Sequence, residues 1–483
     1  MKKDIIFANW AAVLLLLLCL PVLSACGKTN ADETKQFEHG SSAEKIEGPS
    51  ASKMPNNEES PAPVGSGGAG DEVVALHLNK TIFAEYEFPE QEGGCMLQIG
   101  DAYLELEDGD ADRYPALADI LAEEERSVKA AVTENIAYLS DRYLSQVEYF
   151  GDGDINWIVE TADIRVCRAD SVALSVLDIY EREEFGESSR NCYGRTLDTQ
   201  TGRTLYLSDV IRDMDALPSL VEQILVDYVF GGDFYSETAV ADYFADRNDH
   251  SYNWTLEYNG VSIHFNPGDI ADPVYGAMTA TIYFAEHPEL FEERYMAVPE
   301  AYIVALPDEG YYVDVNDDGA NELLTMWGEE AEETEAYSGF GIGLSPIGNI
   351  FSIEPSDTFE SVFAYGYYPY YVKTADGGHY LYVFYQDSYE LDWKMQLLVY
   401  NLSDSGITKA GECDVRPYYQ PKIGEISDCF SIPTDPETLY LDDFDDPTRT
   451  YSFRTDNESD VQEYDLNPPV AFMAGSDGVP VRK

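Results

Sequence analysis

The chain is poor in positive charge and in histidine. Its 483 residues carry 29 Lys and Arg against 91 Asp and Glu, a formal net charge of −62, with only 6 His. So acidic a surface repels nucleic-acid phosphates and anionic lipid headgroups, so no nucleic acid is expected as a partner. It attracts cations and basic proteins, and it also keeps an exposed protein soluble. The histidines are scattered: His39 in a polar stretch, His77, His264 and His379 in or beside apparent strands, His250 after a short helix and His287 before Pro288. None forms His-Glu-x-x-His, and neither Gly-x-Ser-x-Gly nor Gly-x-x-x-x-Gly-Lys occurs, which removes the sequence support for common zinc proteases, α/β-hydrolases and P-loop NTPases. We expect no enzyme and assign no catalytic residue. Among so many acids, a glycosidase-like carboxylate pair would arise by chance, so none is inferred.

Cysteine is scarce as well, at 7 residues. Cys19 and Cys26 fall near the start, leaving Cys95, Cys167, Cys192, Cys413 and Cys429. No Cys-x-x-Cys pattern points to zinc or redox chemistry. Cys413 and Cys429 are close enough in sequence for a small disulfide loop worth about 3 kcal/mol; buried free thiols are the alternative. The one long apolar run, Val13 to Leu20, falls short of the roughly 20 residues a membrane span needs, and Pro21 interrupts it.

What stands around that run is informative. Lys2 and Lys3 precede it, and Leu23-Ser24-Ala25-Cys26 follows it. A basic start, an apolar centre and small residues before a cut site make a secretory signal peptide. The last four residues resemble the lipobox of bacterial lipoproteins. That resemblance implies a signal peptide over 1–25 and a lipidated Cys26. Two or more acyl chains hold a protein firmly to a bilayer where one does not. The expected location is therefore the cell membrane, lipid-anchored and facing the extracellular side. Residues 26–72 are rich in Ser, Pro, Gly, Asn and Glu and almost free of aromatics, as expected of a disordered tether.

The remainder has core-forming composition, and an α+β fold is expected. Tyr103 to Glu107 alternates as a half-exposed strand does, and Val73 to Leu78 has the look of a first strand. Pro115 suits the first turn of a long helix whose Leu117, Leu121, Val128, Val132 and Leu139 share one face. Asp119, Glu123, Glu124 and Glu125 lie in its N-terminal half, where the helix dipole favours acids. Strands are expected over Asn156 to Val166 and Ser171 to Tyr180. Thr196 to Leu207 reads as a hairpin turning at Gly202, and Ala216 to Phe230 as an amphipathic helix. A short helix follows near Glu237, with Ser236 as its N-cap. A second hairpin turns at Asn259-Gly260, and Ala277 to Phe284 is a strand.

The hairpin and helix from Thr196, together with His264 to Ile282 (HFNPGDIADPVYGAMTATI), resemble the extracellular domain of RsiV-like anti-sigma factors, also found in PdaC-type peptidoglycan deacetylases. The resemblance covers about Val73 to Val298. It implies an α/β sandwich of antiparallel sheet and helices, with an N-terminal α+β unit over 73–166 and the RsiV-like domain over 167–298. Some members bind lysozyme, so it implies a basic protein such as lysozyme as one partner. Where many members have a Gly-Gly-Ala-His-like turn, this chain has Ser188-Ser189-Arg190-Asn191-Cys192-Tyr193, so no role of that histidine carries over. The deacetylase metal-ligand pattern is not found after Val298. With only Met1 to Asp4 expected on the cytoplasmic side, no sigma-factor binding is expected either.

Residues 299–483 are Tyr-rich short strands and turns, expected to form an all-β domain, a sandwich or a propeller-like array. Within it, Asp314, Asn316, Asp318, Ala320 and Glu322 occupy positions 1, 3, 5, 7 and 9 of a calcium-type loop with Gly319 at position 6. Position 12 is Thr325, so this is no EF-hand; the spacing resembles the calcium loops of FG-GAP-type propellers, and Ca2+ is the expected cofactor. A solvated acidic turn is the alternative. Acidic runs at Glu329 to Glu335 and Asp442 to Asp446 read as solvated loops. Tyr365, Tyr367, Tyr368, Tyr370 and Tyr371 either line a ligand groove or tip a β core. The function expected from all this is a non-catalytic ligand-binding or sensing lipoprotein of the cell envelope. The alternative is an accessory protein that binds or processes wall glycans.

Overall fold

A computed structural model describes residues 72–87, 96–150, 157–184, 187–229, 232, 234–307, 310–316, 318–330, 337–353, 364–387, 394–422, 427–443 and 469–483. The signal segment, Cys26, the tether, Cys95 and Asp317 lie outside the described residues.

After a short helix α1, Asp108–Arg113, the expected helical stripe forms on α2, Pro115–Phe150. Leu117, Leu121, Val132 and Leu139 are buried. They pack on strands β1 (Leu78–Glu87), β2 (Met96–Leu106) and β3 (Trp157–Ala169), joined in one sheet by β4 (Ala173–Glu184) and β5 (Glu187–Asp198). Leu139 meets Leu97 and Ile158, and Val132 meets Phe83, Ile99 and Tyr103. β2 and β3 pair in parallel, because α2 is the crossover between them; the other neighbours are antiparallel. The segment read as a first strand makes only a single bridge, Ala75 to Asp170, and regular pairing starts at Leu78.

The next layer contains α3 (Leu207–Val210), α4 (Leu217–Ile224) and α5 (Ala239–Ala245), packed on a three-stranded sheet of β6 (Trp254–Leu256), β7 (Gly260–Phe265) and β8 (Met278–Tyr283). Leu217, Val221, Ile263, Phe265 and Ile282 share its core. Gly202 takes a φ of 67° at the first turn, but the second arm of that hairpin is reduced to the bridge Leu197 to Thr204, because Leu207 already opens α3. Ser236 does not cap α5; Thr238 holds the N-cap position. β6 lies so close over β5 that a Cβ at Gly194 would come within 2.0 Å of the Trp254 carbonyl oxygen. A short helix α6, Glu293–Met296, leads towards the last region.

That region is all β. Strands β9 (Tyr302–Ala305), β10 (Tyr311–Val313), β11 (Glu322–Glu330), β12 (Tyr337–Ser345), β13 (Gly348–Ile353), β14 (Ala364–Lys373), β15 (His379–Asp387), β16 (Lys394–Ser403) and β17 (Gly406–Cys413) form one sheet. A four-stranded sheet of β18 (Val415–Pro417), β21 (Leu439–Asp443), β22 (Val470–Ala474) and β23 (Pro480–Arg482) packs on it, with Phe384 and Val399 sharing a core with Leu441 and Phe472. Two sheets face to face make the sandwich form of the two expected architectures. Strands β19 (Tyr419–Lys422) and β20 (Ser427–Ile432) leave this region and extend the first sheet, with Leu78 opposite Ile432.

One local expectation is corrected, and one open alternative is decided. Asp442 and Asp443 are not in a solvated loop: both are buried in β21, where Arg416 pairs with Asp442 at 2.8 Å and Arg482 pairs with Asp443. Cys413 and Cys429 form no disulfide. They sit on strands of different sheets as unbridged thiols. Cys167 and Cys192 are also unbridged, in a buried cluster with Leu177 and Ile179.

Candidate functional site

The sequence-expected sites are placed as follows. Asp314, Asn316, Asp318, Ala320 and Glu322 lie on the turn from β10 to β11. Gly319 takes a φ of 86° there, so the chain can double back. The loop amides donate inward: Asp318 N to Asp314 Oδ1 at 3.1 Å, Gly319 N to Asp314 Oδ2 at 2.8 Å and Val315 N to Glu322 Oε2 at 3.0 Å. Among the described residues no three His, Cys, Asp or Glu side chains converge to hold a metal ion. Of the tyrosine run, Tyr371 is a core residue with no exposure, its hydroxyl 2.6 Å from His379 Nδ1. Tyr367, Tyr368 and Tyr370 are half-buried, with Tyr367 edge-on to Phe340 and Tyr370 edge-on to Phe384. The side chain of Tyr365 lies outside the described residues.

A buried polar seam runs between the first sheet and the three-stranded sheet. His264 Nε2 lies 2.8 Å from Thr255 Oγ1 and its Nδ1 3.1 Å from Thr279 Oγ1, while Ser262 donates to Glu257 at 2.7 Å. Burial holds the His264 imidazole down at about 3 and pushes the Cys167 thiol up to about 12. These are the residue types of a nucleophile set, but all are buried and the histidine is neutral and saturated, so the seam is a packing device.

The exposed feature lies at the open end of the same layer. Tyr235 is 59% exposed, Val274 81% and Tyr275 45%. They stand on two loops bound to each other: Tyr235 N donates to Ile270 O at 3.1 Å and Phe234 bridges Ala271. The second loop is fixed from below. Asn266 N donates to Asp269 Oδ2 at 2.9 Å, Arg247 pairs with Asp269 at 3.2 Å, and its guanidinium lies 3.6 Å from the centre of the Tyr243 ring. Asn266 Oδ1 also accepts from Cys192 N at 2.7 Å on the outer edge of β5. Gly268 takes a φ of 89°, and the space over its α-carbon is bounded by Pro273 and the Tyr235 hydroxyl, which brings the two loops into one patch. Asp227, Glu237 and Asp272 are exposed beside it in sequence. Exposed aromatic tips on a strongly acidic chain suit contact with a cationic surface. Sequence reasoning placed a loop here but missed the patch. The signal was Pro273-Val274-Tyr275, apolar residues in a loop that offers them no core.

A second surface lies on β2, β4 and β5. Arg195 pairs with both oxygens of Asp178, at 2.6 and 3.1 Å, and with Glu124 of α2 at 2.5 Å. Burial works against the charge on Arg195, but these two carboxylates outweigh it and raise its pKa. Asp101 lies beside them, and burial followed by the charge of Asp178 pushes its carboxyl up to about 7. On the same face Tyr180 and Tyr193 meet edge to face, 5.6 Å between centres, 42% and 50% exposed.

No family model matches the chain, and no curated protein matches it. Several solved structures are similar to part of it, among them the following two. One is a DUF3298 family member from Bacteroides fragilis, at 17% identity and a TM-score of 0.30, covering 46% of this chain and 94% of that one. The other is a DUF3298 family protein from Pseudomonas aeruginosa, at 13% identity and a TM-score of 0.31, covering 47% of this chain and 98% of that one. Both neighbours thus belong to a family named for a domain of unknown function.

Proposed function

We propose that this chain is an extracellular lipoprotein, anchored to the cell membrane through Cys26, whose folded part binds a cationic protein without catalysing a reaction. The observation that carries the reading is the aromatic loop patch of Tyr235, Val274 and Tyr275, in a chain of net charge −62. Hydrophobic tips supply contact area, and the field supplies steering and choice of partner sign. The test is retention of lysozyme and other basic proteins on the immobilised chain at low and high salt. Tyr235→Ala with Tyr275→Ala should lower retention at least tenfold with no change in melting temperature. Equal retention by the double variant would refute the patch, and absence of any salt-sensitive cationic partner would refute the function. Membrane attachment is tested by Cys26→Ala, which should release the protein from the membrane fraction.

We further propose a weak calcium site at Asp314, Asn316, Asp318, the Ala320 carbonyl and Glu322, of the affinity class found in extracellular modules. Support comes from the ligand spacing and the tight turn at Gly319. Calcium at millimolar concentration should raise the melting temperature, and Asp314→Asn with Asp318→Asn should abolish the rise. No rise in the unsubstituted protein sinks the site.

A further inference from the structure

A strand at the end of a sheet offers unpaired backbone groups, and folds blunt it with charge, proline, a bulge or a cover. Here β19 carries Pro421 and Lys422, β17 carries Lys409, Glu412 and a register break, and the short β23 begins with Pro480. On β10 the Tyr312 carbonyl is taken by Asn259 Nδ2 at 2.8 Å. β8 ends the three-stranded sheet without such a device. It contains no charged residue, Pro or Gly, and its register with β7 is unbroken.

The direction of its backbone groups is fixed by its neighbours. Along an antiparallel strand successive residues turn their N–H and C=O groups to opposite sides. Glu257 N donates to the Gly260 carbonyl at 2.8 Å and His264 N to the Asn253 carbonyl at 2.9 Å, so Gly260, Ser262 and His264 bond on the β6 side. Val261, Ile263 and Phe265 therefore bond β8, at Ile282, Ala280 and Met278. The backbone groups of Thr279 and Thr281 are left pointing out of the sheet, and among the described residues no strand or isolated bridge pairs with them there. Both residues are half-buried, with their hydroxyls spent on His264 and Ser262.

Charge chooses the occupant. From Asn266 to Leu290, the stretch that contains β8, the chain carries Asp269, Asp272, Glu286 and Glu289 and no Lys or Arg. A second copy of this chain would bring its own net charge of −62 against that stretch and is opposed. We propose that β8 takes up an extended, basic polypeptide segment as a fourth strand of its sheet. The segment bonds its backbone to Thr279 and Thr281, and Lys or Arg near its ends meets the acids that flank β8 in the chain. Main-chain bonds supply the grip in this mode, and charge supplies the choice of segment. The proposal rests on the reading of a cationic protein partner and states how such a partner is held. Val274 and Tyr275 of the loop patch lie just before Met278, so the patch leads directly into the edge.

Residue-resolved amide hydrogen exchange on the full chain tests it, with the capped peptide Lys-Val-Thr-Val-Thr-Val-Lys as probe. The same peptide N-methylated at alternate amides keeps the charge and loses the donors. In the free chain the amides of Thr279 and Thr281 should exchange at least tenfold faster than those of Ala280 and Ile282. The probe should slow them at least tenfold, and the methylated peptide should not. In fluorescence anisotropy, Thr281→Pro removes an outward N–H and should weaken probe binding more than tenfold. Thr281→Val loses only the hydroxyl and should bind within twofold of the unsubstituted protein. The proposal fails if Thr279 and Thr281 are already protected in the free chain, whether by a cover or by a second copy. It fails equally if the probe does not saturate, or if Thr281→Pro binds within twofold of Thr281→Val. Should Thr281→Pro unfold, the exchange of the unsubstituted chain decides alone. Any of these failures leaves protein retention at Tyr235 and Tyr275 standing, and loss of that retention with probe binding kept would sink the loop patch and not the edge.

Discussion

Arg168 to Met is the substitution that probes the architecture most sharply. Arg168 and Asp170 are both fully buried where β3 turns into β4. The guanidinium donates from Nε to Asp170 at 2.8 Å, from Nη1 to the Tyr295 carbonyl at 2.6 Å and from Nη2 to the Ala297 carbonyl at 2.5 Å. It thereby ties the first sheet to the segment leading from α6 to β9. Asp170 in turn accepts from the amides of Val172 at 2.8 Å and Ala173 at 3.0 Å, and burial raises its pKa against the pull of Arg168. Methionine fills much of the volume but leaves a buried carboxylate without its cation and two carbonyls without donors. Breaking one side of such a pair costs about 3–5 kcal/mol. Spread over the roughly 400 residues of the folded unit, at about 2.1 cal/mol/K per residue, that is a fall of roughly 4–6 °C in melting temperature. Urea unfolding gives the free energy directly, and the double variant Arg168→Met, Asp170→Asn should recover part of the loss because the stranded charge goes with it. A single variant within about 1 kcal/mol of the unsubstituted protein would refute the reasoning.

Other outcomes follow from single contacts. His77 lies between Asp110 (3.0 Å) and Asp435 (3.4 Å), with Glu107 and Tyr440 alongside, and its hydrogen bond to Asp110 and close approach to Asp435 raise its pKa to about 10. Between its ordinary value of 6.5 and 10 the folded state holds a proton the unfolded chain has lost. Its stabilisation is therefore complete below about pH 6.5 and is lost as pH rises through 10. Denaturant midpoints at pH 6, 8 and 10 should fall, and His77→Gln should flatten that slope; an unchanged slope refutes the assignment. Gly194→Ala should cost about 1–3 kcal/mol, because a methyl group at that position strikes the Trp254 carbonyl and β6 must move off β5. A neutral Gly194→Ala in thermal melts would mean that the two layers are not in close contact.

Short-range patterns carried into the structure with little loss. The helical stripe from Leu117, the amphipathic turn of Leu217 and Val221, and the hairpin at Asn259-Gly260 each depend on neighbours a few residues away, so periodicity and turn chemistry find them. Ser188 to Tyr193 stands where members of the resembled family have a turn, yet it belongs to the twelve-residue strand β5. It is polar because it is an edge strand, and Asn253 and Asn266 rather than another strand satisfy its outer amides at Gly194 and Cys192.

The candidate sites divide the same way. Ligand spacing at Asp314 to Glu322 is a property of one loop and is plain in the sequence. Tyr235 and Tyr275 come from two loops joined by the pairing of Tyr235 with Ile270, and no spacing connects them. Charge misleads in the same manner. Asp442 and Arg168 look like surface residues, and each is buried only because a partner or a carbonyl arrives from a distant segment.

By itself, therefore, the sequence determined which stretches form helix, strand and turn, the sign of the protein's field and the spacing of its acidic loop. Only the tertiary structure decided that β20 extends the first sheet beside β1, hundreds of residues away in the chain, and which charged groups leave water. The physical reason is that local propensity is settled within a few residues, whereas strand partners and buried ion pairs are chosen by which distant surfaces exclude water together.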